Sequence, residues 1–188
     1  MMESLQNAVQ DQIQTPAGLL DIVLVGSEEL DRIMALMQEA SDWLQTRGIR
    51  QWRRMFTAEG RAFVAARFTT DEVYLVFKDA VPVATFTIRW QETTLWGDAG
   101  LDGQAGYLHG FAVSRKIGGM GVGKALLAWV EKQVAARGRR YLRLNTAAGN
   151  PGICGYYERE GFAPCGVVAH CLGGMTQLYE REIVGQHG

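Results

Sequence analysis

One stretch constrains this chain more than any other: "YLHGFAVSRKIGGMGVGKALLAW", residues 107–129. Tyr107–Val113 reads as a strand with Tyr107, His109, Phe111 and Val113 on one face. Glycines then recur at Gly118, Gly119, Gly121 and Gly123, and Leu126, Trp129, Val130 and Val134 follow at helical spacing. A strand, a glycine turn and a helix in that order can converge backbone N–H groups on an anion, with the helix dipole adding positive potential. Arg115, Lys116 and Lys124 are cations in the same stretch. Gly118, Gly123 and Lys124 have the spacing of a nucleotide P-loop, but Ala125 stands where a Mg²⁺-binding hydroxyl belongs. The dinucleotide fingerprint fails too, because Lys124 occupies its third glycine position. Two readings remain: a backbone cradle for a diphosphate-bearing cofactor, centred on Gly119-Met120-Gly121-Val122-Gly123, or a turn that merely permits close packing.

The other segments supply the setting. "DIVLV" (21–25) is strand-like, and Ser27 precedes an apolar periodicity from Leu30 to Leu44 that Gly48 stops, which predicts a helix capped by Ser27. A second helix is expected over 58–68, then a hairpin of strands 73–78 and 83–91 turning at Asp79 and Ala80. A glycine- and acid-rich loop precedes the strand at 107–113. A strand at 141–146, a short helix with Asn150 as N-cap and Pro151 at its first position, and two closing strands complete the order. This is an α/β pattern with a mixed central sheet of about six to seven strands flanked by helices.

At 188 residues the chain suits one domain, placed at 19–188, with 1–18 read as a flexible polar extension. The net charge of −1 argues against a nucleic-acid or anionic-membrane partner. Three cysteines without metal-ligand or C-x-x-C spacing point to neither a metal site nor a disulfide framework. With no leader-like or membrane-spanning stretch, a cytoplasmic location is expected.

The sequence resembles the GCN5-related N-acetyltransferase (GNAT) superfamily. Residues 107–129 match its central motif, a strand ending in Ala-Val, a basic glycine loop and an amphipathic helix. Asn150, Ile153, Tyr156, Tyr157, Gly161 and Phe162 match its second motif, N-x-x-A-x-x-L-Y-x-x-x-G-F. The resemblance implies the GNAT fold, acetyl-CoA as co-substrate, transfer to a primary amine of a small molecule or peptide, and a homodimer. It puts the cofactor diphosphate on Gly118, Gly119, Met120, Gly121, Val122, Gly123 and Lys124 with Arg115 and Lys116 in support. It puts the pantetheine arm along Phe111, Ala112 and Val113, gives Asn150 and Tyr156 further contacts to the cofactor, and makes Tyr157 the acid for the departing thiolate. The Arg or Gln that opens the family's loop is Gly118 here, so one cationic contact is missing unless Arg115 or Lys116 replaces it.

Acetyl transfer by direct attack needs a base for the amine proton. His109 is one candidate; Glu92, Asp98 and Asp102 are the others, although an ordinary solvated acidic loop is the favoured reading of these three. Trp43, Trp52 and Trp96 are candidates for an acceptor pocket, and Glu39 or Asp42 for attracting an ammonium group, against simple packing roles. A non-catalytic CoA-binding module or acyl-CoA sensor is the competing function.

Overall fold

The computed structural model describes residues 9–183, eight strands and five α-helices in two compact units. The first comprises 9–87 and 110–126, the second 88–109 and 127–183.

The first unit holds β1 (Val9–Thr15), β2 (Gly18–Leu24), β3 (Glu72–Lys78) and most of β4 (Val81–Arg89), hydrogen-bonded in that order and then to β5 (Ala105–Val113). β1 pairs antiparallel with β2, from Val9 opposite Val23 to Thr15 opposite Gly18. The polar sequence VQDQIQT is therefore an edge strand, where an extension through residue 18 was expected; main-chain pairing asks little of side-chain hydrophobicity. Residues 1–8 of that expected extension lie outside the described residues. The β3–β4 turn places Asp79 at φ 50° and Ala80 at φ 63°, the two left-handed residues of a hairpin turn whose twist matches its strands.

Helix α1 (Leu30–Gln45) buries Ile33, Met34, Leu36 and Met37. Ser27 does not cap α1: it opens a single 3₁₀ turn, Ser27–Glu29, and Glu29 holds the cap position of α1 without a side-chain cap bond. Helix α2 (Ala58–Thr70) is capped by Thr57, whose hydroxyl accepts from the Gly60 N–H. A Cβ at Gly60 would stand 2.0 Å from the Arg54 carbonyl oxygen, so the glycine inside this helix is required by close backbone approach.

In the second unit β5 pairs parallel with β6 (Tyr141–Ala147), from Ala105 opposite Tyr141 to Leu108 opposite Leu144. β6 pairs antiparallel with β8 (Met175–Glu182), and β8 with β7 (Ala163–Ala169). The expected acid-rich loop contains a short helix, α3 (Thr93–Trp96). Helix α4 (Val122–Ala136) begins in the first unit and continues into this one, where Leu127, Val130 and Val134 are buried. A Cβ at Gly106 would lie 2.5 Å from Val134 Cγ2, so this glycine lets α4 settle onto β5. Helix α5 (Pro151–Arg159) closes the set, with the Asn150 side-chain Oδ1 accepting from the Ile153 N–H at 3.3 Å as expected of a cap.

The sheet thus gains an eighth strand over the expected six to seven, and the gain is β1. Ala80 is the less suited of the two turn residues, since its Cβ crowds the following carbonyl in left-handed backbone. Ala80→Gly is expected to raise stability by about 1 kcal/mol, read as a higher urea midpoint at unchanged m-value.

Candidate active site

In the first unit the chain leaves β5 through Ser114, whose N–H donates to the Val83 carbonyl at 2.7 Å. Residues Arg115–Ile117 make one 3₁₀ turn, and the Ser114 hydroxyl accepts from the Lys116 N–H. Gly119 (φ 79°) and Gly121 (φ 73°) then take the left-handed backbone that only glycine adopts without strain, and α4 starts at Val122. The Ala125 N–H donates to the Gly121 carbonyl, the first helical bond of the run, which leaves the amides of Val122, Gly123 and Lys124 as the opening donors of the helix. A Cβ at Gly119 would meet nothing within 4 Å, so the turn is open at that residue, while at Gly121 it would touch Pro16 at 3.8 Å. Gly118 differs: at φ −62°, ψ 141° its backbone is one that any residue adopts.

The loop is tied to α1. Glu39 Oε1 accepts from the Ser114 hydroxyl at 2.9 Å and from the Arg115 N–H at 2.6 Å. The Arg115 guanidinium lies 3.9 Å from the Trp43 ring centroid, and that of Arg47 lies 4.1 Å from the same ring. Glu39 and Trp43, expected on the acceptor side, both act on the glycine loop. Asp42 accepts a bond from Gln38, and Trp52 is held in left-handed backbone at φ 65°.

The second unit holds the acid–base candidates. Glu92 is buried, at 3% exposure, where a solvated loop acid was the favoured expectation. Its Oε2 lies 3.2 Å from His109 Nε2 and accepts from Arg89 Nη1 at 2.6 Å, while Oε1 accepts from the Thr94 N–H and caps α3. Burial pushes this carboxyl up, but the hydrogen bond and charge of His109, then those of Arg89, outweigh it and hold the group at about 2, against an ordinary 4.5.

Asp102 faces a different partner. Arg143, buried on β6, donates from Nε to Glu180 at 2.7 Å and from Nη1 to the Tyr107 hydroxyl and the Ala99 carbonyl, both at 2.8 Å; Asp102 stands 3.5 Å away. Trp96 packs on Tyr107 and the Arg143 guanidinium, so it is a wall of this buried cluster. Arg143 was not among the expected site residues; it alternates with Leu142 and Leu144, and nothing local marks it as buried.

Tyr157 on α5 is 5% exposed and surrounded by the rings of Tyr156, Phe162 and Tyr179. Burial raises its phenol far above the usual range, so it holds its proton at neutral pH. The neighbouring Tyr156 hydroxyl is buried without a hydrogen-bond partner among the described residues and is pushed up to about 12, by burial first and then by Glu160, against the opposing charge of Arg181.

Comparison with known proteins places this geometry. The model of the acetyltransferase (GNAT) family matches residues 37–162. The chain belongs to this family. Its relatives include the uncharacterized N-acetyltransferase YesJ of Bacillus subtilis (strain 168), 27% identical over 85% of this chain and 88% of that protein. A GNAT acetyltransferase from Listeria monocytogenes 4b F2365 superposes with a TM-score of 0.72 at 25% identity, covering 92% of this chain and 99% of that one. A ribosomal L7/L12 α-N-protein acetyltransferase, solved with coenzyme A, shares the fold at a TM-score of 0.65 and 16% identity, covering 93% and 98%. The GNAT domain match spans both the glycine loop and the Asn150–Phe162 motif. Among the described residues no helix is long and apolar enough to cross a membrane, and no metal-binding cluster occurs.

The depressed Glu92 carboxyl makes a stability statement. A group lowered in the folded state contributes stability that is fully present above its unfolded value, here 4.5, and is lost as pH falls toward about 2. Glu92→Gln is therefore expected to lower Tm at pH 6 and to flatten the fall of Tm between pH 4.5 and 2, measured by thermal unfolding across that range.

Proposed function

We propose that this GNAT protein transfers the acetyl group of acetyl-CoA to a primary amine by direct attack within a ternary complex. The observation that carries the reading is the left-handed pair Gly119 and Gly121 delivering the chain into α4, inside the segment matched by the family. Open amides of Val122, Gly123 and Lys124, with Arg115 and Lys116 alongside, suit the diphosphate, and the C-terminal run of β5, Phe111–Val113, suits main-chain pairing with the pantetheine arm. The β5–β6 register ends at Leu108–Leu144, short of that run. Asn150 and Tyr156 are assigned further cofactor contacts on the motif match. The unpartnered, buried Tyr156 hydroxyl supports this for its part.

Acetyl-CoA supplies an activated thioester. The amine nitrogen forms the new C–N bond as the C–S bond breaks; the amine gives up one proton and the thiolate gains one. Tyr157 is the donor for the second transfer on the motif match, and burial keeps its phenol protonated at neutral pH. His109 receives the amine proton, directly or through water. Glu92 engages Nε2, so Nδ1 is the basic atom on this reading, and the fixed carboxylate stabilises the imidazolium that forms. The acceptor is an amine of a small molecule or a polypeptide.

Acetyl-CoA and CoA are expected to raise Tm while ATP with Mg²⁺ does not; stabilisation by ATP–Mg²⁺ alone would sink the reading. In a thiol-release assay against an amine panel, Tyr157→Phe is expected to lower kcat about 100-fold with little change in acetyl-CoA affinity. An unchanged kcat removes Tyr157 as the acid. His109→Gln is expected to abolish the acidic limb of the kcat/KM profile; persistence of that limb moves the base elsewhere.

A further inference from the structure

Gly118 is the anomaly of the loop. Its φ of −62° suits any residue, so the backbone does not demand glycine there. What occupies the side-chain space is the head of Arg115: a Cβ built on Gly118 would stand 3.0 Å from both Cζ and Nη2 of that arginine and 3.3 Å from Nη1. The guanidinium lies across the bare Cα of Gly118, next to the left-handed turn at Gly119.

Two residues of α1 hold it there. Glu39 and Trp43 are one helical turn apart and so share a face. Glu39 grips the root of the arginine through the Ser114 hydroxyl and the Arg115 N–H. Trp43 supports its head, with the guanidinium 3.9 Å from the ring centroid. Exposed arginines are usually mobile, and fixing one before a ligand arrives lowers the entropy lost on binding.

We propose that Arg115 is the side-chain anchor of the cofactor diphosphate, that Glu39 and Trp43 are its positioning residues, and that Gly118 is glycine because Arg115 needs the room. The cation that a side chain at 118 would have supplied comes from three residues earlier, across the single turn Arg115–Ile117. The two positions are thereby coupled: a Cβ at 118 would crowd the Arg115 head at 3.0 Å and push it from its present seat. This deepens the acetyl-CoA reading and rests on it.

The test is a relocation of charge, read by calorimetric titration of acetyl-CoA. Arg115→Ala is expected to raise Kd at least tenfold. Adding Gly118→Arg to Arg115→Ala should bring Kd back to within about threefold of wild type, since the backbone at 118 accepts arginine and the space has been vacated. Trp43→Leu should weaken binding in the wild-type background and have no effect in the relocated double variant, where the Arg115 guanidinium no longer rests on the indole and only Arg47 does; a purely structural tryptophan would weaken both. The Arg115→Ala penalty should be equal for CoA and 3′-dephospho-CoA. Equal Kd for wild type and Arg115→Ala, no recovery on adding Gly118→Arg, or a penalty that vanishes with 3′-dephospho-CoA each overturns the proposal. Failure of the wild type to bind acetyl-CoA overturns the cofactor reading itself.

Discussion

The passage from β5 into α4 depends on two residues in left-handed backbone. Gly119 and Gly121 reverse the chain's curvature twice within three residues, which any side chain with a Cβ would resist. Because the turn is this tight, α4 begins immediately at Val122 and its first amides open beside the cationic residues of the preceding turn. The loop is also short of side chains of its own, so its position has to be imposed from outside. Glu39 does this from α1, with one carboxylate oxygen serving a hydroxyl and an amide at the exit of β5.

Buried charge organises the second unit. Glu92 and Arg143 are both nearly inaccessible, and each is surrounded by enough partners to repay its desolvation. Glu92 joins Arg89, His109 and the start of α3, while Arg143 joins β6 to β8, to the Tyr107 hydroxyl and to the segment after α3. The residues between β4 and β5 are thus pinned at both ends by ionic groups. His109 inherits a defined orientation from this arrangement, which an imidazole at a strand surface would not otherwise have.

Much of this was legible beforehand because the signals are local. Asn150 and Pro151 announce the start of α5, two strand-like runs around a short turn announce the β3–β4 hairpin, and a strand followed by spaced glycines and an apolar helix has few structural meanings. The failures are as instructive. β1 carries almost no apolar pattern, since an edge strand is held by main-chain bonds to β2. Glu92 looked like one acid among several in a solvated loop, and Arg143 drew no site reading at all. Both escape such a reading because burial depends on what packs over a residue, and nothing in the neighbouring letters records that.

What the sequence determined by itself is the spacing of the loop glycines, the order of the main strands and helices after β1, and the paired motifs that mark a GNAT acetyltransferase. These rest on φ preferences and on spacings within one or two turns of chain. Only the tertiary structure decided which charged groups act and where. Ser114 meets Glu39 across 75 residues and Arg143 meets Glu180 across 37, and the seat of Arg115 over Gly118 needs a tryptophan from a distant helix. Contacts of that range form only when the chain has folded, because their energy comes from excluding water around partners that sequence separation keeps apart.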